Sequence, residues 1–265
     1  MRRHCRAGVA AALTGCAFRR GASFAAGSPP RCVVDYFRQH GHVVTRGLLP
    51  EEEFGTAARE MWQLVPGGDG DGPLRPPQRR GQPVGGASRP FTKIANPHSR
   101  IRAALRLAFS PAMLGTAAAL LGAASVRLHQ DSLFLKRRGE PATAWHADLW
   151  TAPLATGRFV TAWLPLHRVE IDGAPLFFKA GSHLKPQVTI QCTPGPEADA
   201  LLEPGAVGAH HAPLREGDVT WHHGWTIHGS PPLSGGARSR LAYTAAYYAE
   251  EAGFEAWLGK SHRLL

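Results

Sequence analysis

The second half of the chain constrains the fold most. After Gly122 the sequence breaks into short β-type runs: Val126–Lys136, Phe159–Leu166, Leu176–Lys179, Val188–Gln191, Asp218–His223 and Leu241–Tyr248. Gly, Pro and Asp punctuate the gaps. Branched and aromatic side chains suit a pleated, half-buried surface, and many short strands separated by turn residues close into a sandwich or barrel. The front of the body reads differently. Val33–Gly47 predicts a short helix and then a strand at His42–Thr45. Pro50 followed by Glu51, Glu52 and Glu53 opens a helix that runs to about Val65, because Pro fits a first turn and carboxylates favour the positive end of the helix dipole. Ser99–Leu121 is rich in Ala and Leu and predicts two helices broken near Pro111. The expected class is therefore mainly β with flanking helices, a single domain over residues 33–265. Its helical buttress spans about 50–121 and its β core about 122–250. Pro66–Ser88 has no apolar periodicity and reads as a long loop that could cover a site.

Charge divides the chain. Of 30 Lys and Arg, 25 are Arg, and the formal net charge is +10. Six Arg precede the first acid, Asp35, which leaves an excess of four on the rest. Residues 1–32 are basic, Ala/Gly-rich and free of acids, as in a mitochondrial or plastid transit peptide. A secretory signal fits less well, because Arg19–Arg20 directly follows the apolar stretch Ala7–Phe18. An unstructured tail on a cytoplasmic protein, or a misplaced start codon, is the plain alternative. Elsewhere, Arg79–Arg80 and Arg137–Arg138 lack interleaved aromatics and read as solvated surface, so no nucleic-acid partner is expected. No unbroken apolar run of about 18 residues is present, so no transmembrane helix is expected. Past residue 32 only Cys192 remains, so the body has no pair for an internal disulfide. Oligomeric state stays open.

One constellation carries chemistry. In His146-Ala147-Asp148 the first and third residues would share a face of a strand, and a His nitrogen and an Asp oxygen could reach one metal ion. His228, flanked by Gly229, is the best third ligand. Two His and one carboxylate on one face of an octahedral metal leave three positions open, the pattern of non-haem Fe(II) oxygenases. A lone H-x-D is common on solvated surfaces, and it gains weight from its company. Arg238 or Arg240, ten and twelve residues after His228, could pair a distal carboxylate through its guanidinium fork, and the Ser230 hydroxyl could add a hydrogen bond. His222 and His223 read as supporting or core residues, with a rival metal site that pairs one of them with His228. His210–His211 reads as exposed. Trp145, Trp150, Trp221 and Trp225 read as wall and core, and His129 and Asp131 stay open between pocket, core and surface.

The runs Ala144–His183, with T-A-W-L-P-L and A-G-S-H, and Gly217–Tyr248, with H-H-G-W-x-x-H-G-S, resemble the phytanoyl-CoA dioxygenase (PhyH) family. The resemblance implies a double-stranded β-helix, a jelly roll of the cupin kind. It implies an Fe(II)- and 2-oxoglutarate-dependent dioxygenase that uses O2. Such an enzyme hydroxylates a small-molecule C–H bond and decarboxylates 2-oxoglutarate to succinate and CO2. By resemblance, His146, Asp148 and His228 are the iron ligands and Arg240 binds 2-oxoglutarate. Trp163, Ser230, Lys93 and Ser132 take further positions in the co-substrate pocket. Asp148 favours hydroxylation over halogenation, since halogenating relatives carry a small residue there. The substrate is not legible; an acyl-CoA or another metabolite would fit the family. A cupin-like metalloenzyme without 2-oxoglutarate and a non-catalytic β-sandwich binding module are the rivals.

Overall fold

The structure, a computed structural model, describes residues 29–65, 92–152, 154, 156–185, 208–234, 236 and 239–250. The expected leader up to residue 28, the loop at 66–88, the run Val188–Gln191, Cys192 and Arg238 lie outside the described residues.

Helix α1 (Arg31–His40) begins just before the expected start of the body, and strand β1 (His42–Thr45) follows as expected. Gly41 joins them at φ 77°, and its N–H bonds the Phe37 carbonyl. That left-handed turn suits glycine. Helix α2 (Glu51–Gln63) starts after Pro50 with three Glu in its first turn. Strand β2 (Thr92–Ala95) then precedes helices α3 (Arg102–Ala108) and α4 (Pro111–Leu121). The break between these helices has a local cause. Pro111 lacks an N–H and sits at the first turn of α4, and the Ser110 side chain accepts the Met113 N–H as a cap. Eight further strands follow among the described residues: β3 (Val126–Arg137), β4 (Thr143–His146), β5 (Phe159–Pro165), β6 (Phe177–Phe178), β7 (Ala209–His210), β8 (Val219–His223), β9 (His228–Ser230) and β10 (Ser239–Ala249).

These strands form two antiparallel sheets, one ordered β1-β8-β5-β10-β3-β2 and one ordered β4-β9-β6-β7. The larger sheet is covered on both faces, which explains why β5 is buried at every position. Its side chains alternate with period two. Leu133, Leu135, Val160, Ala162, Leu164, Trp221, Leu241, Tyr243, Ala245 and Tyr247 join one core cluster with Phe54 and Met61 of α2, Leu107 of α3, and Met113 and Ala117 of α4. The intervening residues Ser132, Lys136, Thr161, Trp163, His222, Arg240 and Thr244 line a cavity on the opposite face. The buried Tyr247 hydroxyl ties sheet to helix by donating to the Ala108 carbonyl at 2.6 Å, and Tyr243 donates to Asp131 on the neighbouring strand at 2.9 Å. Asp131 thus serves the helix-facing side.

A register shift between Ala246 and Tyr247 places one extra residue on β3, so Ala246 opposes Gln130 and Tyr247 opposes Leu128. This bulge turns His129 and Gln130 together into the cavity. Taken as one stretch, Arg102–Leu121 is apolar and long enough by composition to cross a membrane. A search for unbroken apolar runs misses it because Arg102 and Arg106 interrupt it. Here the stretch is folded as two helices that pack on the sheet.

Candidate metal centre

The site lies between the two sheets and is built from pairs of residues that face each other across neighbouring strands. On the smaller sheet His146 of β4 opposes His228 of β9. Their rings lie 4.2 Å apart between centroids. The Nδ1 of His146 donates to the Ala144 carbonyl at 2.8 Å, and the Nδ1 of His228 donates to the Thr226 carbonyl at 3.0 Å. Both bonds place the proton on Nδ1 and leave each Nε2 with a free lone pair, the state a metal ligand needs. Burial, with the charges His222 and His146 would carry, also holds His228 well below the usual histidine range, so it stays neutral.

Asp148 corrects the expectation that it shares a strand with His146. Strand β4 ends at His146, and Asp148 opens a short 3-10 turn, Asp148–Trp150. The turn is pinned where the Leu149 N–H donates to the Gly224 carbonyl at 3.0 Å. A Cβ on Gly224 would meet Leu149 Cγ at 2.6 Å and Phe159 Cδ1 at 2.8 Å, so only glycine permits this approach. The turn brings Asp148 Oδ1 to 3.6 Å from His146 Nε2 and 3.7 Å from His228 Nε2. Ligand atoms of the three residues all lie within 4.8 Å of one another. Burial alone would raise the Asp148 carboxyl, but His228, His222 and His146 overcome it and hold it well below the usual range. Two imidazole nitrogens and a carboxylate oxygen converging on one point fit a first-row divalent metal.

The other Asp148 oxygen faces the larger sheet. Oδ2 accepts from Thr161 Oγ1 at 2.6 Å and from His222 Nε2 at 3.0 Å. His222 therefore holds the carboxylate and does not replace it as a ligand. His223 Nδ1 accepts the Trp225 N–H.

Farther along the cavity Arg240 of β10 opposes Lys136 of β3. Both are buried, and the Arg240 guanidinium lies 5.2 Å over the Trp163 ring. Its Nε has no partner among the described residues, and its Nη2 reaches Ser230 Oγ only at 3.5 Å. Burial lowers Arg240 to about 10. Burial and the Arg240 charge lower Lys136 to about 7. Lys136 Nζ donates to the Ser230 and Pro231 carbonyls at 3.1 and 2.9 Å and to Ser230 Oγ at 3.2 Å. Ser230 Oγ in turn donates to the Ala174 carbonyl at 3.0 Å. Ser132 is buried on the same wall, whereas Lys93 is exposed at the rim, 5.5 Å over the Phe134 ring.

The cavity measures about 520 Å³ and brings together His146, Asp148, His228, Arg240, Trp163, Ser230, Lys93 and Ser132. Sequence reading passed over Thr161, His222 as a carboxylate partner, and Lys136. Thr161 lies two residues before Trp163, and Lys136 four after Ser132, so period-two counting along each strand carried the signal. One expectation fails. His211 is buried and bonds His42 across 2.9 Å, while only His210 is exposed. His210 ends β7, and His211 just beyond it turns its ring inward against His42 and Phe178.

No curated protein sequence matches the chain, but solved structures do. SnoK, a non-heme alpha ketoglutarate dependent carbocyclase from nogalamycin biosynthesis, is 23% identical, with a TM-score of 0.67 over 84% of this chain and 85% of that one. The epimerase SnoN, in complex with Fe3+, alpha ketoglutarate and nogalamycin RO, is 25% identical, with a TM-score of 0.62 over 83% of each chain. EctD from S. alaskensis, with 2-oxoglutarate and 5-hydroxyectoine, is 19% identical, with a TM-score of 0.63 over 90% of this chain and 82% of that one. The facing antiparallel sheets are thus the jelly-roll architecture of these oxygenases. The phytanoyl-CoA dioxygenase (PhyH) family matches residues 37–242, most of the length, and the chain belongs to that family.

Proposed function

We propose that the chain is an Fe(II)- and 2-oxoglutarate-dependent dioxygenase acting on a C–H bond of a small molecule. The observation that carries this reading is the placement of two kinds of site in one cavity. His146 Nε2, His228 Nε2 and Asp148 Oδ1 converge at one end, and the buried, incompletely partnered Arg240 faces the same space beside Trp163 and Ser230. A three-ligand facial site alone would suit many metal enzymes. A buried guanidinium without a carboxylate partner suits a ligand that brings its own carboxylate.

In this reading His146, Asp148 and His228 hold Fe(II), and Arg240 and Ser230 receive the distal carboxylate of 2-oxoglutarate. Lys136, in reach of Ser230, adds positive charge to that end, and Ser132 and Lys93 border the pocket. Bound iron with 2-oxoglutarate and O2 supplies oxidising power for C–H cleavage, with succinate and CO2 as co-products. The chain's own part is positional. It fixes three ligand atoms, anchors the far end of the co-substrate, and lines the cavity with apolar side chains including Phe159, Ala152 and Leu176. The primary substrate is a small molecule that shares the cavity with 2-oxoglutarate, so an acyl-CoA would place only its acyl end inside. Hydroxylation is the proposed outcome. The carbocyclase and epimerase neighbours make product analysis part of the test.

Anaerobic addition of Fe(II) and 2-oxoglutarate should produce a visible metal-to-ligand charge-transfer band. Aerobic incubation with candidate substrates should release succinate. A metal-loaded protein with no band and no succinate would point to a metalloenzyme independent of 2-oxoglutarate. A protein that binds no metal would point to a binding module.

A further inference from the structure

We infer that Thr161 and His222 form a two-donor clamp that occupies Oδ2 of Asp148 and keeps this carboxylate a one-oxygen metal ligand. The inference rests on the metal site proposed above and assigns a role to two residues outside it.

The geometry is specific. Thr161 of β5 and His222 of β8 are direct partners across neighbouring strands, so their side chains leave the larger sheet side by side. Both end on the same atom, Asp148 Oδ2, at 2.6 and 3.0 Å. An ionised carboxylate only accepts, so the Thr161 hydroxyl and the His222 Nε2–H are the donors. The remaining oxygen, Oδ1, is the one directed at His146 and His228. The His222 ring cannot be placed by its second nitrogen, because Nδ1 is buried without a partner among the described residues. Packing places it: the ring lies 4.1 Å from His228 and 5.7 Å from Phe178 between centroids.

The chemical consequence concerns open positions. A facial triad with three single-atom ligands leaves three sites, enough for a chelating dicarboxylate and O2. If Asp148 bound through both oxygens, one of those sites would close. Two hydrogen bonds on Oδ2 oppose that swing, and they also orient the carboxylate before metal arrives. Because Asp148 sits on a turn and not within a strand, its backbone does not fix the carboxylate plane, so the clamp supplies what the strand would have.

The test uses the full chain with Co(II) as probe metal. Thr161→Val and His222→Phe keep shape and remove one donor each. Each should weaken Co(II) binding about 10- to 100-fold, the range for losing a bond to a metal ligand. Each should also change the visible d–d spectrum as Asp148 shifts toward two-oxygen binding. Thr161→Ser should restore both properties. Wild-type affinity and spectrum in the Val and Phe variants would overturn the clamp. So would a lowered melting temperature with unchanged cobalt affinity and spectrum in the folded protein, the mark of a merely structural role. If His222→Phe fails to fold, Thr161→Val, which exchanges a hydroxyl for a methyl, decides alone. In the wild type, normal cobalt binding without an Fe(II)/2-oxoglutarate band would overturn the co-substrate reading, and the cobalt titrations would still decide the clamp. A wild type that binds no cobalt would overturn both.

Discussion

Replacing Arg240 with Met should move stability and co-substrate affinity in opposite directions. The guanidinium is buried, its Nε lacks a partner among the described residues, and its Nη2 meets Ser230 Oγ only at 3.5 Å. Burial pulls it well below the usual guanidinium range, to about 10, with Glu140 pulling the other way. At 1.36 kcal/mol per tenfold change in proton affinity, the buried charge costs the ligand-free fold about 3 kcal/mol. Met keeps a long apolar stem over Trp163 and removes the charge. The lost contact with the ring offsets about 0.5–2 kcal/mol of the gain. The ligand-free variant should therefore be more stable by roughly 1–2 kcal/mol, which is about 2–8 °C in melting temperature for a domain of this size. Binding should suffer. A carboxylate left in this cavity without its cation loses about 3–5 kcal/mol, so 2-oxoglutarate affinity should fall by about two to four orders of magnitude. Calorimetric titration of 2-oxoglutarate into cobalt-loaded protein reads affinity, and thermal denaturation of the metal-free protein reads stability. Cobalt affinity should not change. The reasoning is refuted if Arg240→Met binds 2-oxoglutarate within threefold of wild type, or if the metal-free variant melts well below it.

Three other outcomes follow from the same geometry. His146→Ala, Asp148→Ala and His228→Ala should each abolish stoichiometric cobalt binding by equilibrium dialysis while circular dichroism stays that of the wild type. Lys136 should give stability a pH dependence in the ligand-free protein: burial and Arg240 lower it from 10.5 to about 7. Between those values the unfolded chain binds a proton that the folded chain does not. The Lys136 contribution to stability therefore rises as pH climbs from about 7 to about 10. Urea denaturation across that range should show the rise, and Lys136→Met should remove that part of it. Gly41→Ala should lower the melting temperature by several degrees. The residue sits at φ +77°, and a Cβ there would meet His183 Nδ1 and Thr226 Oγ1 at 2.4 Å. The left-handed backbone alone costs about 1–2 kcal/mol, before any of these atoms move.

What the sequence disclosed divides along a physical line. Features set by neighbours along the chain were legible. Pro111 broke the helices where expected, the three Glu opened α2, and the runs of β3, β5, β8 and β10 stood out by composition. Some very short strands were not legible. Thr92–Ala95 and Ala209–His210 are strands because they pair with β3 and β6, and pairing depends on residues far away in sequence. The site follows the same rule. His146, Asp148 and His228 stand out by residue type and spacing, and the resemblance to the family is what favours Arg240 over Arg238. The turn that carries Asp148, and the burial of His211 against His42, depend on contacts with Gly224 and with β1. Register, which no local pattern specifies, is what sets Thr161 beside His222 and Lys136 beside Arg240.

Those cross-strand pairs also explain the electrostatics. Among the described residues that line the cavity, Lys93, Lys136 and Arg240 are cationic side chains, and Asp148 is the sole acid. A divalent metal adds two further positive charges. Without ligand, that set is costly, which is why burial depresses both Lys136 and Arg240. In the proposed reading a dicarboxylate would relieve it at both ends at once, with one carboxylate toward the metal and the other toward Arg240. A monocarboxylate would satisfy only one end and leave either the metal or the guanidinium unrelieved. Stability given up by burying Lys136 and Arg240 side by side on neighbouring strands would then return as selectivity for a dicarboxylate co-substrate.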